Sequence, residues 1–319
     1  MSNICSYYGV KADVFRKHYK KQISGFEQWN QLHHCQDYLL FSENIGPYLS
    51  IDEVSLSKGE LYTFVTNKAG RGKKNTIVAV INGTKSEDII RVLKRLSPNI
   101  RATVKEITLD MAGNMESAAK ESFPMAKLVT DRFHVVRLGQ NAMQALRVKL
   151  GWQELKLENE NIAKAKKEKK KYKTITLENQ DTPRQLLTRS RYVFAKKEEQ
   201  WTENQKERAE IAFKRYPELK VAYHHTLKLR ACYANKNKID AMVDFKNWID
   251  QTYELELENF NTVAHTIENH FENILNFYDN FNTNANAESF NSKIKLFRAN
   301  LRGVIDTRFF LFRLMKLFA

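Results

Sequence analysis

The order of strand-like and helix-like segments constrains this chain more than any single motif. "YLSIDEVSL" (48–56), "ELYTFVTNK" (60–68) and "NTIVAVING" (75–83) are rich in β-branched and aromatic residues and alternate in polarity, so each reads as a strand. Only a short turn with Lys58-Gly59 (residues 57–59) and the loop "AGRGKK" separate them, and connections that short allow antiparallel pairing but no crossover. Alternation then begins. "SEDIIRVLKRL" (86–96) has helical spacing behind a Ser cap, "VKEITLD" (104–110) is a strand, and "GNMESAAKESF" (113–123) is a helix. "AKLVTD" (126–131) is a further strand, and "RFHVVRLGQNAMQALRVKL" (132–150) a long helix. The order β-β-β-α-β-α-β-α predicts an α/β fold with a mixed five-stranded sheet, parallel where helices cross over.

Four stretches follow. Residues 1–46 form an N-terminal helical segment, read as a brace with Tyr7, Tyr8, Phe15, Tyr19, Phe26 and Trp29 spaced for packing, or as a small DNA-binding remnant. Residues 47–150 hold the five strands and form the core. Residues 151–281 contain no convincing strand and read as a large all-helical insertion, with the dense positive run "AKAKKEKKKYK" (163–173) as a loop or extruded basic helix. Residues 282–319 carry a last pair of helices back to the core.

With 319 residues, of which 42% are hydrophobic, the chain can bury one large core or two ordinary ones. Fifty-two Lys and Arg against 37 Asp and Glu leave a formal charge of +15, which favours a polyanionic partner, nucleic acid before an anionic membrane surface. Three scattered cysteines exclude a disulfide framework and suit a reducing cytoplasm. His33-His34-Cys35 lacks the paired ligands of a zinc site. No signal peptide opens the chain and no apolar run reaches membrane-span length; "FFLFRLMKLFA" is short and interrupted by Arg313 and Lys316.

Three acids stand in unusual company. Asp52 lies inside an otherwise apolar strand, where a charge is costly unless exposed, paired or metal-bound. Asp110 closes the "ITLD" strand at its carboxyl end, where ligand sites form in sheets with crossover helices, and "MAGNM" keeps its surroundings small. Taken singly, Asp52 also reads as an edge-strand acid and Asp110 as a helix cap. Glu288 lies on the amphipathic helix "TNANAESFNSKIKLFRANLRG" (283–303). At about 100° per residue, Asn291, Lys295, Arg298 and Arg302 share its side, while Phe290, Ile294, Phe297 and Leu301 gather opposite. A solvated face with i,i+7 charge pairing explains that helix alone. Together, however, two strand-borne carboxylates and one helix-borne Glu form a set of hard oxygen donors suited to Mg²⁺ or Mn²⁺. Two such ions about 3.5–4 Å apart stabilise the attacking and leaving oxygens of a phosphoryl displacement. A carboxylate among cations is then intelligible: Lys295, Arg298 and Arg302 meet DNA phosphates while Glu288 closes the metal site.

Asp52 in "SIDE", Asp110 in "TLDMAGN", "DRFHVV" (131–136) and "NAESFNSKIKLFRANLRG" (286–303), in that order over residues 47–319, resemble a bacterial insertion-sequence transposase of the DDE type in the group called ISL-three. The resemblance implies an RNase H-like core, with Asp52 and Asp110 as the first two metal ligands, Glu288 as the third, and a helical insertion before the last catalytic helix. It also implies an accessory Asp-x-x-His pair, which Asp131 and His134 match; a helix-capping Asp and a packed His remain the alternative. Relatives often carry an N-terminal zinc-binding or helix-turn-helix region that reads the transposon ends. About 45 residues precede the sheet here without a zinc pattern, so end recognition is expected from a separate protein or from the insertion.

The expected function is DNA cleavage at transposon ends and joining of the 3′-OH to target DNA, dependent on two Mg²⁺ or Mn²⁺ ions. DNA is the expected partner, with a homo-oligomer acting on two ends in the bacterial cytoplasm at the nucleoid, and no membrane role. The alternatives are a structure-selective nuclease on the same core, or a catalytically silent DNA-binding protein derived from a transposase.

Overall fold

The computed structural model describes residues 2–56, 60–281, 285–301 and 306–319. The described chain divides into two compact units, residues 1–131 with 281–319, and residues 132–280. In chain order the first unit opens with two short helices, α1 (Ser2–Tyr7) and α2 (Ala12–His18), and a short edge strand, β1 (Tyr38–Leu40). Strands β2 (Tyr48–Ser55), β3 (Leu61–Asn67) and β4 (Ile77–Asn82) follow, then helices α3 (Ser86–Leu93) and α4 (Pro98–Ala102). Strand β5 (Glu106–Leu109), helix α5 (Gly113–Ser122) and strand β6 (Lys127–Thr130) complete the run.

The sheet has six strands in the order β1-β4-β3-β2-β5-β6, one more than the five expected. The added strand lies in the segment read as helical. Three residues are too few to show a period, and β1 is held by antiparallel pairing with β4 and by Gln31, whose side chain bonds both the amide and the carbonyl of Leu40. Strands β1, β4, β3 and β2 are antiparallel to their neighbours, whereas β2-β5 and β5-β6 are parallel.

Helices joined by loops make up the second unit, with no strand among its described residues. It begins with α6 (Arg132–Lys167), which continues well past residue 150 into the lysine run, and then α7 (Pro183–Arg189), α8 (Glu203–Arg215) and α9 (Pro217–Cys232). Helices α10 (Lys238–Glu254), α11 (Glu258–Asn269), α12 (Phe271–Leu275) and α13 (Phe277–Asn280) follow. Gly139 lets α6 cross α9 closely, since a β-carbon there would lie 2.9 Å from Leu229. Asp181, 2% exposed, is held by Arg189 and Arg208. His225 stacks on Trp248 with ring centroids 4.5 Å apart, and its Nε2 meets the Thr252 hydroxyl at 2.6 Å.

The chain then returns to the first unit through α14 (Ala285–Asn300) and α15 (Thr307–Phe318). Each face of the sheet has its own core. Helices α3 and α5 cover one, with Ile89, Val92, Leu93, Met115 and Ala118 packed on Leu49, Ile51, Val65 and Ile107. Helices α14 and α15 cover the other, with Phe290, Ile294, Phe310 and Leu314 packed on Val54, Phe64 and Val80. Phe26 and Trp29 of the N-terminal segment join that second core, and Lys20 pairs with Asp306 at the start of α15. The β3–β4 loop locks the arrangement: Lys293 donates to the Gly72 carbonyl (3.2 Å) and the Thr76 amide to that of Phe318 (2.8 Å). Gly72 sits at φ +66° against Phe290 and Lys293, a position that disfavours any side chain.

Burial, with a smaller push from Lys228, lowers His225 from its ordinary 6.5 to about 4. Between those values the unfolded chain binds a proton that the folded chain refuses. Stability is therefore full above pH 6.5 and falls as pH drops towards 4, by up to one proton's linkage. Denaturant unfolding of the second unit, measured from pH 7 to 4.5, is expected to show that loss. In His225→Gln the dependence should flatten.

Candidate active site

Strand register builds the site. In the parallel pair β2-β5, Ser50 lies opposite Thr108, so Asp52 and Asp110 fall at the same level two residues further on. In β5-β6, Leu109 lies opposite Thr130, which brings Asp131 level with Asp110, and the Asp131 amide donates to the Leu109 carbonyl at 2.9 Å. Asp110 and Asp131 thus follow the ends of β5 and β6 at the level of Asp52 within β2, on three adjacent strands whose axes in a sheet run about 4.8 Å apart. Alternation along β2 sends Ile51 into the core under α3 and α5, and Asp52 to the face under α14.

Helix α14 closes that row. Glu288 and Asn291, one turn apart, reach different strands. A carboxylate oxygen of Glu288 lies within 4.8 Å of one on Asp131. The Asn291 amide, 9% exposed, donates to Asp52 Oδ2 at 2.6 Å, while the Glu53 amide donates to Oδ1 at 2.8 Å. Asp110 accepts from the Ala112 amide (2.9 Å) in the turn before α5, where its side chain orients the turn rather than capping the helix. Asp52, Asp110 and Glu288 are half-buried, whereas Asp131 is 2% exposed.

Beneath the row, on the same face of β5, lie Glu106 and Thr108. The Lys68 ammonium bonds Thr108 and pairs with Glu106 at 3.5 Å, all three being buried or nearly so. Burial pushes Lys68 below its ordinary range, with Glu106 and then Asp131 acting in the opposite direction. The donor set fits a hard divalent cation: carboxylate oxygens of Asp131 and Glu288 lie within 4.8 Å of each other, and the strand register sets Asp52 and Asp110 at the same level of the sheet.

The basic residues expected beside Glu288 separate into three outcomes. Lys295 is exposed. Arg298 is instead buried at 6% exposure, paired with Glu60 and set 5.2 Å over the Phe310 ring, so it stabilises the helix from within and faces no DNA. Asn291 likewise turns inward to Asp52 rather than outward. Arg302 lies outside the described residues. His134 sits half-buried on the first turn of α6, in the second unit, three residues after Asp131. Sequence reasoning missed Lys68, which it read only as the last residue of the strand 60–68, although β3 ends one residue earlier, at Asn67. It gave Asp131 an accessory place only, although "LVTD" repeats the strand-then-acid pattern of "ITLD".

These features of fold and strand edge belong to a recognisable class of protein. The family model for DDE transposases of the ISL3 type, described as "Transposase", matches residues 49–314. The chain belongs to that family. It is 22% identical over 274 residues to the transposase for insertion sequence element IS1001 of Bordetella parapertussis, an alignment covering 85% of this chain and 61% of that protein. No solved structure matches the chain. Among the described residues no helix is long and apolar enough to cross a membrane.

Because Arg298 is a buried partner of Glu60, Arg298→Ala is expected to lower stability by about 2–4 kcal/mol, leaving a poorly solvated carboxylate behind. Lys295→Ala should stay within about 0.5 kcal/mol of wild type. Thermal or urea unfolding of the two variants checks both values.

Proposed function

We propose that this chain is a DNA transposase that cuts the ends of its element and joins the 3′-OH to target DNA, working from an RNase H-like core. The single observation behind this reading is the register that levels Asp52, Asp110 and Asp131 on adjacent parallel strands, with Glu288 brought to Asp131 by α14. The sheet order supports the core assignment: four antiparallel strands continue into two parallel ones, with β2 at the junction. Asp52, Asp110 and Glu288 are the proposed catalytic acids and the groups that would hold Mg²⁺ or Mn²⁺, two ions in the full assembly. Asp131 and, one helical turn later, His134 are proposed as accessory groups. When bound, the cations would lower the pKa of an attacking water and neutralise charge on the scissile phosphate.

The chain's own residues do the rest. The Asn291 amide on Oδ2 and the Glu53 amide on Oδ1 together fix the rotamer of Asp52, and each carboxylate oxygen keeps a second lone pair with which it could also bind a cation. The Ala112 amide does the same for Asp110. Lys295, exposed on α14, and the lysines of 163–173 offer phosphate contacts. DNA is the proposed partner, with two or more copies of the chain assembled on it and a separate protein or the helical unit reading the element's ends. The bacterial cytoplasm, at the nucleoid, is the proposed location.

A labelled duplex carrying the element's own ends tests the reading in Mg²⁺, Mn²⁺ or EDTA. Wild type is expected to nick it only with metal, and Asp52→Asn, Asp110→Asn and Glu288→Gln to lose at least about a hundredfold in rate while still binding DNA. Nicking by Asp110→Asn at the wild-type rate would overturn the assignment. Metal-dependent nicks without joined products would make the chain a nuclease rather than a transposase. Neutralising the lysines of 163–173 is expected to weaken DNA binding and to make its salt dependence shallower, by about one in the log–log slope for each phosphate left without a cation.

A further inference from the structure

The distal half of α6 carries a pattern that neither the fold nor the acid site uses. From Val148 onward, Trp152, Leu155, Asn159 and Ile162 recur at intervals of four, three, four and three residues, with Ala145 three residues before. That is the 3,4 spacing of a two-stranded coiled coil, in which Ala145, Trp152 and Asn159 take the first core position of each heptad and Val148, Leu155 and Ile162 the second. The buried residues of α6 all precede residue 151 and lie on other sides of the helix. The seam itself is open: Val148 is 45%, Trp152 65% and Ile162 42% exposed, whereas Trp29 and Trp248 are buried. A shallow groove of about 390 Å³ runs beside it, lined by Trp152, Leu155, Lys156 and Asn159 among others. A solvated helix has no use for an indole and two branched aliphatics in register.

We propose that this seam pairs with the same seam of a second copy of the chain, parallel and in register, as a coiled coil over residues 145–166. Three features select this occupant. A 3,4 seam interlocks only with a helix of the same period, and a second copy supplies one without any further protein. Asn159 is the one polar residue in the core between Ala145 and Ile162, and a lone Asn at this heptad position is satisfied by its own counterpart across a parallel pair. The flanking charges agree. In the parallel pair Gln144 faces Lys149, Gly151 faces Lys156 and Glu158 faces Ala163, with no like charges opposed. The fully overlapping antiparallel alignment of the same core would instead set Lys149 against Lys156, twice over. Three heptads are the short end of what sustains a coiled coil, so the pairing is reversible and concentration-dependent.

Sedimentation velocity on the full chain, without DNA, across a wide concentration range tests the association. Wild type should pass from monomer to dimer, and Trp152→Glu with Ile162→Glu should weaken the dimer by at least about tenfold. Both side chains are largely exposed, so an unchanged melting temperature would show that the variant still folds. Orientation is read from single cysteines, the native Cys5, Cys35 and Cys232 being buried. Mild oxidation should cross-link Asn159→Cys to itself and leave Gln153→Cys, on the outer side of the helix, uncross-linked. A chain that stays monomeric at every concentration would overturn the proposal. So would a dimer indifferent to the Glu pair, cross-linking at 153 but not 159, or a loss of DNA binding in a Glu-pair variant whose wild type is monomeric; the last would assign the seam to DNA.

Discussion

The parallel register of β2, β5 and β6 is the constraint on which the site depends. A slip of one residue in either pairing would send an acid to the opposite face, into the apolar layer under α3 and α5. The slip is prevented by the residues just before each acid. Leu49 and Ile51 on β2, and Ile107 and Leu109 on β5, are all buried in that layer and can occupy no other face. The hydrophobic pattern therefore aims the carboxylates. What is costly about bringing acids together is offset by the burial of their apolar neighbours, each worth about 1.5–3 kcal/mol.

Helix α14 has two duties that its sequence keeps separate. Phe290 and Ile294 are fully buried and fasten it over Phe64 and Val80, while Glu288 and Asn291 reach the strand edge. Arg298, seven residues beyond Asn291 and so on nearly the same side, is drawn inward by Glu60 and Phe310. Its buried ion pair fixes how α14 turns about its own axis, and with it the direction of Glu288. Lys68 acts from below: a buried ammonium on Glu106 and Thr108 holds β5 against the end of β3 directly under Asp110.

Much of the first unit was legible because its signals are local. Five strands and the α3, α5 and α14 helices declare themselves by period, and the apolar face of α14 is the one the helical wheel gives. Period states the direction of a side chain but not its depth. Arg298 therefore looked like a phosphate ligand, since its partner Glu60 lies 238 residues away in sequence. Strand β1 was invisible because three residues make no pattern and its pairing with β4 is tertiary. The end of α6 at residue 167 was not legible, because the lysines beyond Ile162 suit an extruded helix and a loop equally. At the strand edge the acids themselves were readable. Their common level was not, because register depends on which residues of two separate strands face each other.

The central claim is that this edge is a divalent-cation site made by sheet register. It is tested most directly by the anomalous scattering of a crystal of the chain soaked in Mn²⁺. The expected result is a peak on the α14 side of the sheet, bonded to Asp110 and to at least one of Asp52, Asp131 and Glu288. A map with no peak at these four carboxylates, or with its only peak elsewhere on the chain, would contradict it.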